Sequence, residues 1–164
     1  MATTQKHETL EKILGEKTTG TVTDALQGNL LDFINLGLAV KQAHWNLAGH
    51  HFIAIHKFLD EVYEEVEEYI DQTAERVRQL DDFPNGNADV VAANKTFDKM
   101  PLGKIKDLDA VDLVVTRIEL TVKAVRARLE GFEEDEVVTA DLVHAHLEGL
   151  ETKAWMLRSI LGRD

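Results

Sequence analysis

The sequence holds no cysteine, which excludes disulfides, thiolate metal sites, iron–sulfur clusters and cysteine nucleophiles. Proline is scarce, at 2 of 164 residues, and aromatic residues make up only 6%. A chain so poor in strand formers and breakers, yet rich in Ala, Leu, Glu, Val and Asp, reads as helical. No apolar run approaches the roughly 18 residues that a membrane span needs. The opening MATTQKHETLEK has no apolar stretch behind its charges and does not read as a signal peptide. Positive charge is short as well. Eighteen Lys and Arg stand against 30 Asp and Glu, giving a formal net charge of −12 and a pI near 5.0. Such a surface repels phosphate backbones and attracts cations. These absences leave a soluble, cytoplasmic protein of one domain as the expectation, with a hydrophobic fraction of 44% to build its core.

Residues 1–20 are polar and mixed in sign, Lys6, Lys12 and Lys17 being offset by Glu8, Glu11 and Glu16. They are expected to form an N-terminal tail ending in a short helix, ahead of a domain over residues 21–164. From about Val22 to Asn46, Leu26, Leu30, Phe33, Ile34, Gly37 and Leu38 recur at intervals of three and four, a helical period. Leu47-Ala48-Gly49 breaks it. A second long helix is expected from about His51 to Asp81, with Ile55, Leu59, Val62, Val66, Tyr69, Ile70, Ala74, Val77 and Leu80 on its apolar side. Phe83-Pro84-Asn85-Gly86-Asn87 is a stop. Residues 88–106 read as a crossover with a short helix near Ala88–Lys95. Asp107 or Asp109 is placed to cap a third long helix to Glu130, bearing Leu113, Ile118, Leu120, Val122, Val125 and Leu129. After the acidic link Glu133–Glu136, Thr139 is placed to cap the fourth, which ends at Leu161-Gly162. The fold class is all-α: a four-helix bundle with one long crossover carrying a short helix.

The second helix also carries polar residues in an unusual arrangement. His56, Asp60, Asp71 and Glu75 point to roughly 0°, 40°, 60° and 100° around its axis. A solvated face accounts for acids such as Glu61, Glu64, Glu67 and Glu68, but not for His56 and Asp60 as a chelating i, i+4 pair. His44, at the end of the first helix, lies beside His56 if the chain turns at Leu47–Gly49. Two imidazoles and one carboxylate suit Fe(II), Mn(II) or Zn(II). Asp60 and Asp71, however, are separated by about 16 Å along the helix, while metal–oxygen bonds are about 2 Å. One ion cannot use both pairs from one chain. A two-fold axis near Val66 would set His56 and Asp60 of one chain against Asp71 and Glu75 of another, so a metal site here belongs between subunits. The intra-bundle alternative needs Glu-x-x-His pairs, and Asp141-Leu142-Val143-His144 is the nearest approach to one, without a partner. A zinc hydrolase finds no general base beyond these ligands.

Lys41-Gln42-Ala43-His44-Trp45-Asn46, then Gly49, Phe52, His56 and Asp60, then Asp71 and Ala74-Glu75-Arg76, resembles the Dps family (DNA-binding protein from starved cells), the miniferritins. Trp155-Met156-Leu157-Arg158 is similar too, and the resemblance covers about residues 21–161. It implies a ferritin-like bundle assembled through two-fold dimers into a hollow homo-dodecamer. That assembly would oxidise Fe(II), preferably with hydrogen peroxide, and store Fe(III) mineral, protecting the cell against oxidative damage. His44, His56 and Asp60 would come from one chain and Asp71 and Glu75 from its neighbour.

Further roles follow from the resemblance. Trp45 is either a buried anchor or a shield that takes up stray oxidising equivalents, and Lys41 pairs either with a site carboxylate or with solvent-facing acids. Trp155 reads as packing. For an acidic iron-entry pore, Asp141 matches; Val137 stands where some members have a second Asp, with Asp135 or Glu136 available in its place. The family name implies DNA binding, and the alternative reading is a structural, DNA-condensing dodecamer. The acidic chain has no basic tail, so it is not expected to bind DNA.

Overall fold

The computed structural model describes residues 10–163; the first nine residues of the expected tail, and Asp164, lie outside the described residues. Within that range the chain runs α1 (Leu10–Leu14), α2 (Glu16–Asn46), β1 (Leu47–Ala48), α3 (Phe52–Gln79), α4 (Ala88–Ala93), β2 (Ile105–Lys106), α5 (Asp107–Leu129) and α6 (Val137–Ile160). The four long helices form the bundle. α2 begins at Glu16, earlier than the expected start near Val22, and Val22 is already fully buried. Helix therefore enters the segment assigned to the tail.

One face of each long helix makes the core. Leu26, Phe33, Leu36, Val40 and Ala43 of α2 meet Ile55, Leu59, Val62 and Val66 of α3, together with Val114, Ile118 and Val125 of α5 and Val143, Leu150 and Leu157 of α6. The stripe shifts from its expected course in two places. Leu38 and Leu120 are exposed, while Thr73 and Thr121 are fully buried. A period of 3.6 rotates slowly against spacings of three and four, so neighbouring positions exchange faces along a long helix.

Polar bonds lash the crossover to the bundle. Asp32, fully buried in α2, accepts from Asn94 Nδ2 at 2.7 Å and pairs with Arg128 NH1 of α5 at 2.7 Å. Arg117 donates to the carbonyls of Leu113, Asp98 and Lys99. Leu47 pairs with Ile105 and Ala48 with Lys106 in a two-residue parallel ladder that periodicity alone does not reveal. The crossover thereby returns to the α2–α3 turn.

Helix starts depart from expectation. Lys106 occupies the cap position of α5, and Asp107 is its first helical residue. In α6 the cap is Glu136, not Thr139: its carboxylate accepts from the N–H groups of Val138 at 3.2 Å and Thr139 at 2.7 Å. Thr139 instead accepts from Arg76 Nε of α3 at 2.9 Å. Asp81, just past α3, takes φ = 67°, the left-handed turn that commonly ends a helix.

Candidate metal centre

The turn between α2 and α3 is held from outside. His51 donates its backbone N–H to Asp107 Oδ2 at 2.7 Å, with His51 Nδ1 3.1 Å from the same oxygen. These bonds, the backbone one foremost, hold the Asp107 carboxyl below the usual carboxylate range. A Cβ on Gly49 would stand 2.2 Å from the Asp107 carboxylate carbon, so a side chain there would push that carboxylate off its bonds to His51. The clamp brings the last turn of α2 beside the first turns of α3.

His44 and His56 consequently stack, ring centroids 3.6 Å apart and planes 22° from parallel. Each Nδ1 rests on the other's backbone carbonyl, His44 on His56 O at 3.0 Å and His56 on His44 O at 3.1 Å. A carbonyl can only accept, so both Nδ1 atoms carry hydrogen and both Nε2 atoms keep a lone pair for a metal. Burial lowers the His44 pKa, against the pull of these bonds and of Asp60, which favours the neutral ligand form. Asp60 Oδ1 lies 3.3 Å from His44 Nδ1 and accepts from Lys41 Nζ at 2.8 Å. That bond, foremost, keeps the Asp60 carboxyl ionised below its ordinary range. Ligand atoms of His44, His56 and Asp60 all lie within 4.8 Å of one another. Lys41 thus pairs with a site carboxylate, and its ammonium also sits 4.8 Å from the Tyr63 ring centre.

Asp71 and Glu75 are not part of this cluster. Both are exposed on α3, about 16 and 22 Å beyond Asp60 along the axis, and neither has a hydrogen-bonding or ionic partner among the described residues. The residues following them point inward: Gln72 accepts from His146 of α6 at 2.8 Å, and Arg76 pairs with Glu136 at 3.3 Å. One protomer thus presents a three-ligand cluster at one end of α3 and an unpaired carboxylate pair towards the other.

Comparison with known proteins places this geometry. A family model described as a ferritin-like domain matches residues 23–164. The DNA protection during starvation protein of Mycolicibacterium smegmatis is 32% identical over 151 residues, 90% of this chain and 81% of that protein. This chain is an iron-storage miniferritin of the Dps family. The fine tangled pili major subunit of Haemophilus ducreyi is 33% identical over 140 residues, 85% of this chain and 74% of that protein. Among solved structures, Mycobacterium smegmatis Dps in a tetragonal form has a TM-score of 0.86 at 27% identity, covering 98% of this chain and 94% of that one. Dps from Microbacterium arborescens in its high iron form has a TM-score of 0.84 at 27% identity, over 89% and 95% of the two chains.

Other residues singled out in the Dps pattern fall in varied surroundings. Trp45 is 66% exposed, so within the protomer it is no buried anchor. It lines an open groove of about 1030 Å³ with Leu38 and Gln42 of α2 and Phe97 and Leu102 of the crossover. Trp155 is 57% exposed, contrary to its reading as packing. Asp135 and Asp141 are exposed, whereas Glu136 is buried and engaged as the α6 cap and the partner of Arg76. A carboxylate so committed has no free oxygen to offer a passing ion, which leaves Asp135 and Asp141 for the pore reading. Phe52 and Asp107 shape the centre but carry no ligand atom pattern. The role of Asp107 arises from packing across elements, which spacing does not encode, whereas Phe52 stands at i, i+4 from His56 on α3.

Proposed function

We propose that this Dps protein is a ferroxidase and iron store of the cytoplasm, working at sites shared between two chains of a hollow dodecamer. The observation that carries the reading is the division of candidate ligands: His44, His56 and Asp60 converge, while Asp71 and Glu75 stand exposed on α3 with no partner among the described residues. Two copies of α3 packed antiparallel about Val66 complete both sites, with axes 8–10 Å apart leaving room for these side chains.

Iron is the substrate. Two imidazole nitrogens and carboxylate oxygen with open positions suit Fe(II), and the added carboxylates Asp71 and Glu75 favour Fe(III) once it forms. With hydrogen peroxide as oxidant, two Fe(II) lose one electron each and one peroxide takes both as its O–O bond breaks. The peroxide oxygens leave as water or enter the ferric oxyhydroxide, and hydrolysis of Fe(III) releases protons. Asp60 and the partner carboxylates offset positive charge, and the carbonyl-bound imidazoles keep their ring orientation through the change. Lys41 holds Asp60 ionised and in place. Asp141 and Asp135 serve as the acidic approach for cations. Consumption of Fe(II) and peroxide together limits oxidative damage.

Asp60→Ala, and separately Glu75→Ala, slows peroxide-driven Fe(II) oxidation by about ten-fold or more while the assembly keeps its size. Anaerobic Fe(II) titration saturates at two sites per dimer before mineral forms. Oxidation kinetics unchanged in both variants overturn the assignment.

A further inference from the structure

The metal centre includes a third ring. Phe52, the first residue of α3, stacks on His56 with ring centroids 4.8 Å apart and planes 29° from parallel. Phe52, His56 and His44 therefore form one continuous stack across the α2–α3 turn. Within it, a single Nδ1–carbonyl bond acts as a pivot for each imidazole, setting one atom but not the tilt of the ring. His44 is buried and backed by its helix, whereas His56 is only partly buried. One face of His56 meets His44. The face that Phe52 covers has no other ring contact among the described residues.

From this geometry we infer that Phe52 is a positioning residue of the iron centre, holding the His56 imidazole at the tilt from which its Nε2 binds the ion. The inference rests on the metal-site reading above. Phe52 and His56 are one helical turn apart, the i, i+4 relation in which side chains on a helix meet. A first helical residue would ordinarily fray. Here the Phe52 N–H bonds to Gly49 O at 3.3 Å, and the Asp107 clamp grips the preceding residue. The chain of control runs from α5, through the start of α3, to the ligand ring. Metal ligation tolerates errors of only about 10–20° in ligand direction, so a ring free to rock about its pivot binds less tightly.

The test is anaerobic Co(II) titration of the full chain, followed by the visible d–d absorption of the bound ion. Phe52→Leu, with Phe52→Met as a second apolar replacement should Leu impair folding, removes the stack but keeps apolar volume. Phe52→Tyr keeps the ring. Asp60→Asn removes a ligand and serves as the control for the site itself. The expected result is a Co(II) midpoint roughly ten-fold weaker in the Leu or Met variant, with an altered d–d envelope. The Tyr variant titrates as the native protein does, and melting temperatures of Leu and Tyr variants agree to within a few degrees. In Fe(II) oxidation the same loss raises KM more than it lowers kcat. A Leu or Met variant with native midpoint and spectrum overturns the role of Phe52. So does a Tyr variant as impaired as Leu. If Asp60→Asn also titrates like the native protein, the metal-site reading itself falls.

Discussion

His146 shows how a single residue can be placed against its own chemistry. Its side chain is 1% exposed, enclosed by the rings of Phe33 and Tyr69, with Nε2 on Gln72 and a buried Nδ1 lacking a partner. Burial pushes its pKa down from 6.5 to about 4, so it is neutral in the folded protein. The unfolded chain binds a proton below pH 6.5, the folded one only near pH 4. Stability from this group is therefore complete above pH 6.5 and falls as the pH drops towards 4, by about 3 kcal/mol in all. His146→Leu is expected to flatten that part of the pH–stability profile in denaturant unfolding. A profile as steep as the native one assigns the acid sensitivity elsewhere. His56 and Asp60 were legible singly, because His and Asp at i, i+4 advertise themselves; a buried histidine without a counter-ion has no such signature.

At the scale of elements, the four long helices and the crossover were readable because amphipathic periods and a Pro-Asn-Gly break are local signals. Their starts were less so. Thr139 and Glu136 both offer a capping oxygen, and only the arrival of Arg76 from α3 decides which accepts from the helix N–H groups. Burial opposes ionisation of Glu136, but its bonds from Thr139 and its pairing with Arg76 outweigh this and lower its pKa. Glu136→Ala removes the α6 cap and takes from the half-buried Arg76 its ionic partner, leaving it the bonds to Thr139 and Gln79. The expected cost is about 2 kcal/mol, read as a fall in thermal midpoint. Glu136→Gln retains the capping oxygen and loses less. Equal midpoints for Ala and native chains would place the hold on α6 in its apolar face alone.

For the whole molecule, assembly is the outcome that matters, since the two proposed ligand sets of one protomer lie too far apart to meet. Light scattering is expected to report twelve chains, and a stable monomer would remove the basis of a shared site. The same surface sets partners. A chain of net charge −12, repeated around the proposed shell, would repel nucleic acid through its counter-ion atmosphere. No mobility-shift complex with duplex DNA is expected at about 0.15 M salt, and a tight complex there would favour the DNA-condensing alternative. Among the described residues, no helix is long and apolar enough to cross a membrane.

The sequence by itself determined the helical class, the i, i+4 spacing of His56 and Asp60 on α3 and their distance from Asp71 and Glu75, because periodicity and rise per residue are properties of local covalent geometry. Tertiary structure alone decided that His44 stacks on His56, that Lys41 takes Asp60, that Glu136 is spent on a cap and that Trp45 faces outward. Each of those depends on how helices distant in sequence are rotated against one another, and that rotation is set by the packing of the core as a whole.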